Sequence, residues 1–102
     1  MPKAVMAVQV IPHGGKLYDI VDQAIAAIAR SGLPYEVTPF ETVVEGEREE
    51  LLAVARAAHE ACFQAGAKSV LTIIKLAERP DEDLTVAKIL ARYRPGPQEA
   101  AE

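Results

Sequence analysis

Tyr35-Glu36-Val37-Thr38-Pro39-Phe40-Glu41-Thr42-Val43-Val44-Glu45-Gly46 is the stretch whose reading decides the fold. Tyr35-Glu36-Val37-Thr38 alternates like a half-buried strand, and Thr42-Val43-Val44-Glu45 reads as another. Pro39-Phe40-Glu41 lies between them. The two runs are expected to pair antiparallel, joined by a short turn or continued through a proline-induced bend.

Helical patterns flank this pair. Upstream, Leu17, Ile20, Val21, Ala24, Ile25 and Ile28 recur at helical spacing, predicting a helix over 16–31. Gly32 supplies a left-handed C-terminal cap and Pro34 forbids continuation. Downstream, a helix is expected over 47–65, opened by Gly46 and ended by Gly66. Glu47, Glu49 and Glu50 in its first turn suit the positive end of the helix dipole.

Strands close both ends. Residues 3–11 are short, β-branched and bounded by Pro12, and residues 68–76 repeat the pattern. A short third helix is expected over 83–93, introduced by Pro80 and Asp81-Glu82-Asp83, with Val86, Ile89, Leu90 and Tyr93 on one face. Pro95-Gly96-Pro97 begins a frayed tail over 95–102, leaving one domain over 1–94. The order β-α-β-β-α-β predicts an α+β, ferredoxin-like sandwich with a four-stranded antiparallel sheet and two helices on one face.

That topology exposes a problem. Val5, Ala7, Gln9 and Ile11 point away from Met6, Val8 and Val10, and Leu71, Ile73 and Lys75 away from Val70, Thr72, Ile74 and Leu76. Both faces of both strands are largely apolar, while two helices cover only one. Burial against another subunit, or the third helix folded across, would cover the remainder. A homo-oligomer is expected, with any sizeable pocket shared between subunits.

Composition excludes several functions. The 102 residues carry a formal charge of −4, which disfavours nucleic acid and anionic membranes as partners. RNA-recognition modules share this strand order but stack bases on sheet aromatics, and neither terminal strand here has one. Cys62 is the only cysteine, so neither an intrachain disulfide nor a cysteine metal cluster is available. It reads as core filler in a reducing compartment. The short apolar run near the N-terminus resembles neither a signal peptide nor a membrane span, and cytoplasm is expected.

His59 reads as a partly buried helix residue beside Phe63, and His13 as part of a solvated Pro12-His13-Gly14-Gly15 turn. Their spacing does not suit zinc, and no metal site is expected. The turn could present amides to an anion, yet it lacks a P-loop's Lys-Ser/Thr ending. The central stretch reads either as an ordinary amphipathic hairpin or as a pocket. In the second reading the hydroxyls of Thr38 and Thr42, the aromatic Phe40 and the carboxylates Glu41 and Glu45 stack a flat ring and accept hydrogen bonds from its amino edge.

Ile11-Pro12-His13-Gly14, Gly32-Leu33-Pro34-Tyr35, Thr38-Pro39, Thr42-Val43-Val44-Glu45-Gly46-Glu47, Ala58-His59-Glu60-Ala61, Gly66-Ala67, Thr72-Ile73-Ile74-Lys75-Leu76 and Arg79 occur in that order. In these blocks, over roughly 3–80, the chain resembles the YkoF-like thiamine-binding family. The resemblance implies a ferredoxin-like fold, oligomers built through the sheets (often tetramers, with a dimer the alternative), and binding of thiamine or its hydroxymethylpyrimidine moiety without catalysis or a cofactor, with Phe40 or Tyr35 against a ring. Where the family often has Met-Gly before Thr42, this chain has Phe40-Glu41, a bulkier and acidic pair. Competing expectations are a small isomerase or hydrolase with His59 or Glu45 as base, and an oligomerisation domain without ligand.

Overall fold

The computed structural model describes residues 2–93. Seven elements follow in order: β1 (Ala4–His13), α1 (Leu17–Arg30), β2 (Tyr35–Val37), β3 (Thr42–Gly46), α2 (Arg48–Gln64), β4 (Ser69–Ala77) and α3 (Val86–Leu90). The strands form one antiparallel sheet in the order β2-β3-β1-β4. This is the ferredoxin-like arrangement expected from the element order. The tail expected over 95–102 lies outside the described residues.

Register fixes the two faces. Met6 stands opposite Val44 and Leu76, and Val8 opposite Thr42 and Ile74, all on the helix-covered side. Met6, Val8 and Val44, with Ile20, Ala24, Ile28, Leu51, Val54, Ala58 and Cys62, surround a core in which Met6, Ile20, Val44, Leu51 and Cys62 are fully buried, while Ile74 and Leu76 on the outer strand stay 43% and 40% exposed. The stripe expected on α1 is shifted. Ala27 joins it, while Leu17, at the first position, is half exposed. Gly32 and Gly66 end α1 and α2 with φ of 76° and 106°, which an L side chain rarely adopts.

Most boundaries shift by a residue from the sequence reading, and three differences have a local reason. β1 continues through Pro12 to His13. It pairs β3 only as far as Val8, so Pro12 lies where β1 has one free edge, and a proline is tolerated there. Gly46 ends β3 instead of opening α2, whose N-cap is Glu47; the Glu50 carboxylate accepts the Glu47 N–H at 3.0 Å. α3 is only five residues long and starts after Thr85, whose hydroxyl accepts the Lys88 N–H at 3.1 Å. Asp81 and Glu82 pair with Arg79 at 3.2 and 2.8 Å, and Asp83 accepts the Lys3 N–H at 2.8 Å. The acidic run is tied to neighbouring segments instead of opening a helix. Tyr93, expected on the packed face of α3, is exposed.

The sheet face away from α1 and α2 carries Glu36, Val43, Glu45, Val5, Ala7, Gln9, Ile11, Leu71, Ile73 and Lys75. Its cover is uneven. Val5 is 8% exposed, but Leu71 and Ile73, further along the same face, are 57% and 39% exposed. The C-terminal segment crosses only one end, with the Leu84 N–H donating to the Lys3 carbonyl at 2.9 Å. Part of the apolar face that the sequence left to be covered therefore stays open in the protomer.

Candidate functional site

The β2–β3 ribbon presents two hollows, and the residues singled out from sequence divide between them. Thr38 closes the connecting turn: its hydroxyl donates to the Glu41 carbonyl at 2.6 Å and accepts the Glu41 N–H at 3.1 Å. Those bonds, with the Thr38 N–H on the same carbonyl at 2.9 Å, explain why Pro39-Phe40 makes a tight turn and not a bend. Phe40 projects from the tip, 80% exposed. Thr42 is buried on the helix side. These three line a hollow of about 120 Å³ facing Val21, Ile25 and Ile28 of α1.

Tyr35 and Glu45 line a second hollow of about 150 Å³, with Pro34, Glu36, Val43 and Val86. Glu45 stands opposite Val5 on the far face of the sheet and is partly buried. Its Oε1 accepts the N–H of Val86, the first residue of α3, at 2.5 Å. Glu36 and Glu45 thus share one recess whose lining contains no cationic residue, while Tyr35 borders it from a position opposite Val44, on the helix-side parity of the ribbon. Glu36 and Val86 escaped the sequence reading. Glu36 follows from strand alternation beside Glu45, but nothing in the pattern announces a contact spanning 41 residues.

A pair across the open face was also missed. Lys75 Nζ lies 3.3 Å from Glu41 Oε1, so Glu41 at the turn holds a cation over the sheet. The pair is largely exposed on the lysine side and adds little stability. A wider concavity, about 510 Å³, is a groove between α1 and α2 whose lining includes Ala27, Ala53, Ala57 and Ala61 with Arg30 and Glu60. It shares no residue with either hollow and offers no aromatic surface, so it is the weaker place to hold a ring.

The other residues considered for chemistry are accounted for by packing. His59 Nδ1 is 2.5 Å from Thr72 Oγ1, and its ring meets Phe63 edge-on. Thr72 faces the helices while Glu45 faces away, so the two groups considered as bases lie on opposite sides of the sheet. Cys62 is buried, and burial pushes its thiol above the ordinary 9.0. Among the described residues no group of three or more His, Cys, Asp or Glu is placed to hold a metal ion, and no helix is long and apolar enough to cross a membrane.

Comparison with known proteins gives this geometry a family. A family model described as "Thiamine-binding protein" matches residues 6–94. The UPF0045 protein CPE1503 of Clostridium perfringens is 31% identical over 91 residues, spanning 87% of this chain and 95% of that protein. Among solved structures, a Bacillus cereus protein described as a domain of unknown function superposes with a TM-score of 0.88 at 38% identity, covering 91% of both chains. A Thermotoga maritima protein, described as a candidate for thiamine biosynthesis or salvage, gives 0.80 at 28% identity over 91% of this chain and 100% of that one. The chain belongs to the thiamine-binding protein family.

Proposed function

We propose that this protein binds thiamine or its hydroxymethylpyrimidine moiety, without catalysing a reaction, in the recess formed by Tyr35, Glu36 and Glu45. The observation that carries the reading is that recess itself: two carboxylates with no cation among the lining residues. Thiamine pairs an aminopyrimidine, whose exocyclic amine donates hydrogen bonds, with a cationic thiazolium. The Glu45 carboxylate already accepts an N–H, which is the bond the amine would make. Glu36 adds charge of the right sign for the cation, and the ribbon would have to turn the ring of Tyr35, at the border of the recess, toward it.

The recess is small. Sites that bury organic ligands usually enclose about 300–1,000 Å³, against about 150 Å³ here. A second copy packed on the open sheet face would enlarge it. The protein accordingly works as a cytoplasmic homo-oligomer, with a tetramer preferred over a dimer. Thr38 and Thr42 serve the site indirectly, by holding the turn from which Phe40, exposed at its tip, is free to close over a bound ring.

Thermal-shift measurements with thiamine, hydroxymethylpyrimidine and the thiazole half test the proposal, since a ligand selective for the folded state raises Tm by mass action. Thiamine and the pyrimidine should raise Tm, and Glu45→Lys should abolish both shifts. No shift with any compound at millimolar concentration refutes the proposal.

A further inference from the structure

The segment after β4 does more than end the fold. β4 finishes at Ala77 opposite Val5, on the outer strand of the sheet. From there the chain turns back across the end of β1 toward β3. Three hydrogen bonds mark its course: the Lys3 N–H to Asp83 Oδ1 at 2.8 Å, the Leu84 N–H to the Lys3 carbonyl at 2.9 Å, and the Val86 N–H to Glu45 Oε1 at 2.5 Å. The last places α3 directly against the recess, and Val86 is one of its six lining residues.

We infer that residues 83–90 form a displaceable strap, which occupies the Glu45 carboxylate in the free protein and is released when an aminopyrimidine ligand takes its place. This deepens the proposed function and rests on it. Two features separate the strap from ordinary core. No residue of α3 is buried, so little apolar burial holds it down. A five-residue helix is also far below the length at which helices persist alone, so its order depends on its contacts.

Full release gives up three hydrogen bonds, two of them at Lys3 on an exposed edge where water replaces them and one on Glu45 that the ligand replaces. Glu45 loses one N–H donor and gains another from the ligand amine, while the freed Val86 amide meets water. Moving Val86 also removes one wall of a recess that is too small as it stands. The strap thus lowers apparent affinity by the fraction of molecules in which it is closed, and it favours ligands able to replace an N–H on a carboxylate. The thiazole half lacks such a donor and should not open it.

Val86→Pro isolates this contact. Val86 is the first helical residue, where proline fits, so the substitution deletes the N–H with little else disturbed. Calorimetry with thiamine and hydroxymethylpyrimidine should show binding to Val86→Pro about tenfold tighter than to the parent protein. Asp83→Ala, which loosens the strap at its other anchor, should shift affinity in the same direction. Hydrogen exchange supplies a second readout. Adding thiamine to the parent protein should speed exchange at the amides of 84–90 while slowing it in β2 and β3. Equal affinity for all three proteins, or exchange at 84–90 that slows with ligand, overturns the strap and leaves the binding site intact. Absence of binding by every variant overturns both.

Discussion

The imidazole Nδ1 of His59, on α2, lies 2.5 Å from the hydroxyl of Thr72 on β4, tying the second helix to an outer strand of the sheet. β4 needs the tie, because Ile74 and Leu76 on the same face remain 43% and 40% exposed. Thr72→Val keeps the side-chain shape but removes the hydroxyl, leaving a half-buried ring nitrogen without that partner. The expected loss is about 1 kcal/mol, read as a lower urea midpoint with an unchanged slope. In a double-mutant cycle with His59→Phe, a coupling indistinguishable from zero would show that the pair contributes nothing.

Burial separates structural from functional positions on the ribbon and its neighbours. Leu51 is fully enclosed, so Leu51→Ala should cost about 2–5 kcal/mol in urea unfolding. Phe40 is 80% exposed at the turn, and Phe40→Ala should change stability by less than about 0.5 kcal/mol while weakening thiamine binding. Equal losses of stability from the two substitutions would mean that the tip packs against something the protomer alone does not provide.

Cys62 should be chemically quiet. Its Sγ donates toward the Ala58 carbonyl at 3.4 Å, and burial raises the thiol above 9.0. Alkylation by iodoacetamide should be slow in the native protein and rapid in urea. The folded thiol holds its proton more tightly than the unfolded one. Its contribution to stability is therefore complete below the unfolded pKa and disappears as pH rises through the folded value. Wild-type stability should fall more steeply above about pH 9 than that of Cys62→Ala; parallel profiles would sink this attribution.

Much of the fold was legible because the periodicities were clean. Alternation in 3–11 and 68–76 assigned each side chain of β1 and β4 to the face that register later gave it. Gly32 and Gly66 located two helix ends to within a residue or two. Competition for the same residues was not legible. Asp81-Glu82-Asp83 suits a helix start in isolation, but Arg79 and the Lys3 backbone take those carboxylates. The division of Tyr35 and Glu45 from Thr38 and Thr42 was equally hidden. Sequence places all four on one ribbon, and only the folded ribbon shows which hollow each borders.

The open face should govern assembly. Ile11, Leu71 and Ile73 form an apolar strip that α3 does not reach, interrupted by the Lys75–Glu41 pair. Soluble protomers rarely leave such a strip uncovered, and a self-complementary contact about a two-fold axis buries it with one surface used twice. Sedimentation at micromolar concentration should show an oligomer for the wild type and protomers for Ile73→Lys. The substitution places a charge on a residue that is 39% exposed in the protomer, so the fold should tolerate it. Far-ultraviolet circular dichroism should remain that of the wild type. A wild type that sediments as a lone protomer would remove the assembly. The recess beside Glu45 would then have to reach ligand size by movement of α3 alone, a change that hydrogen exchange at 84–90 would register directly.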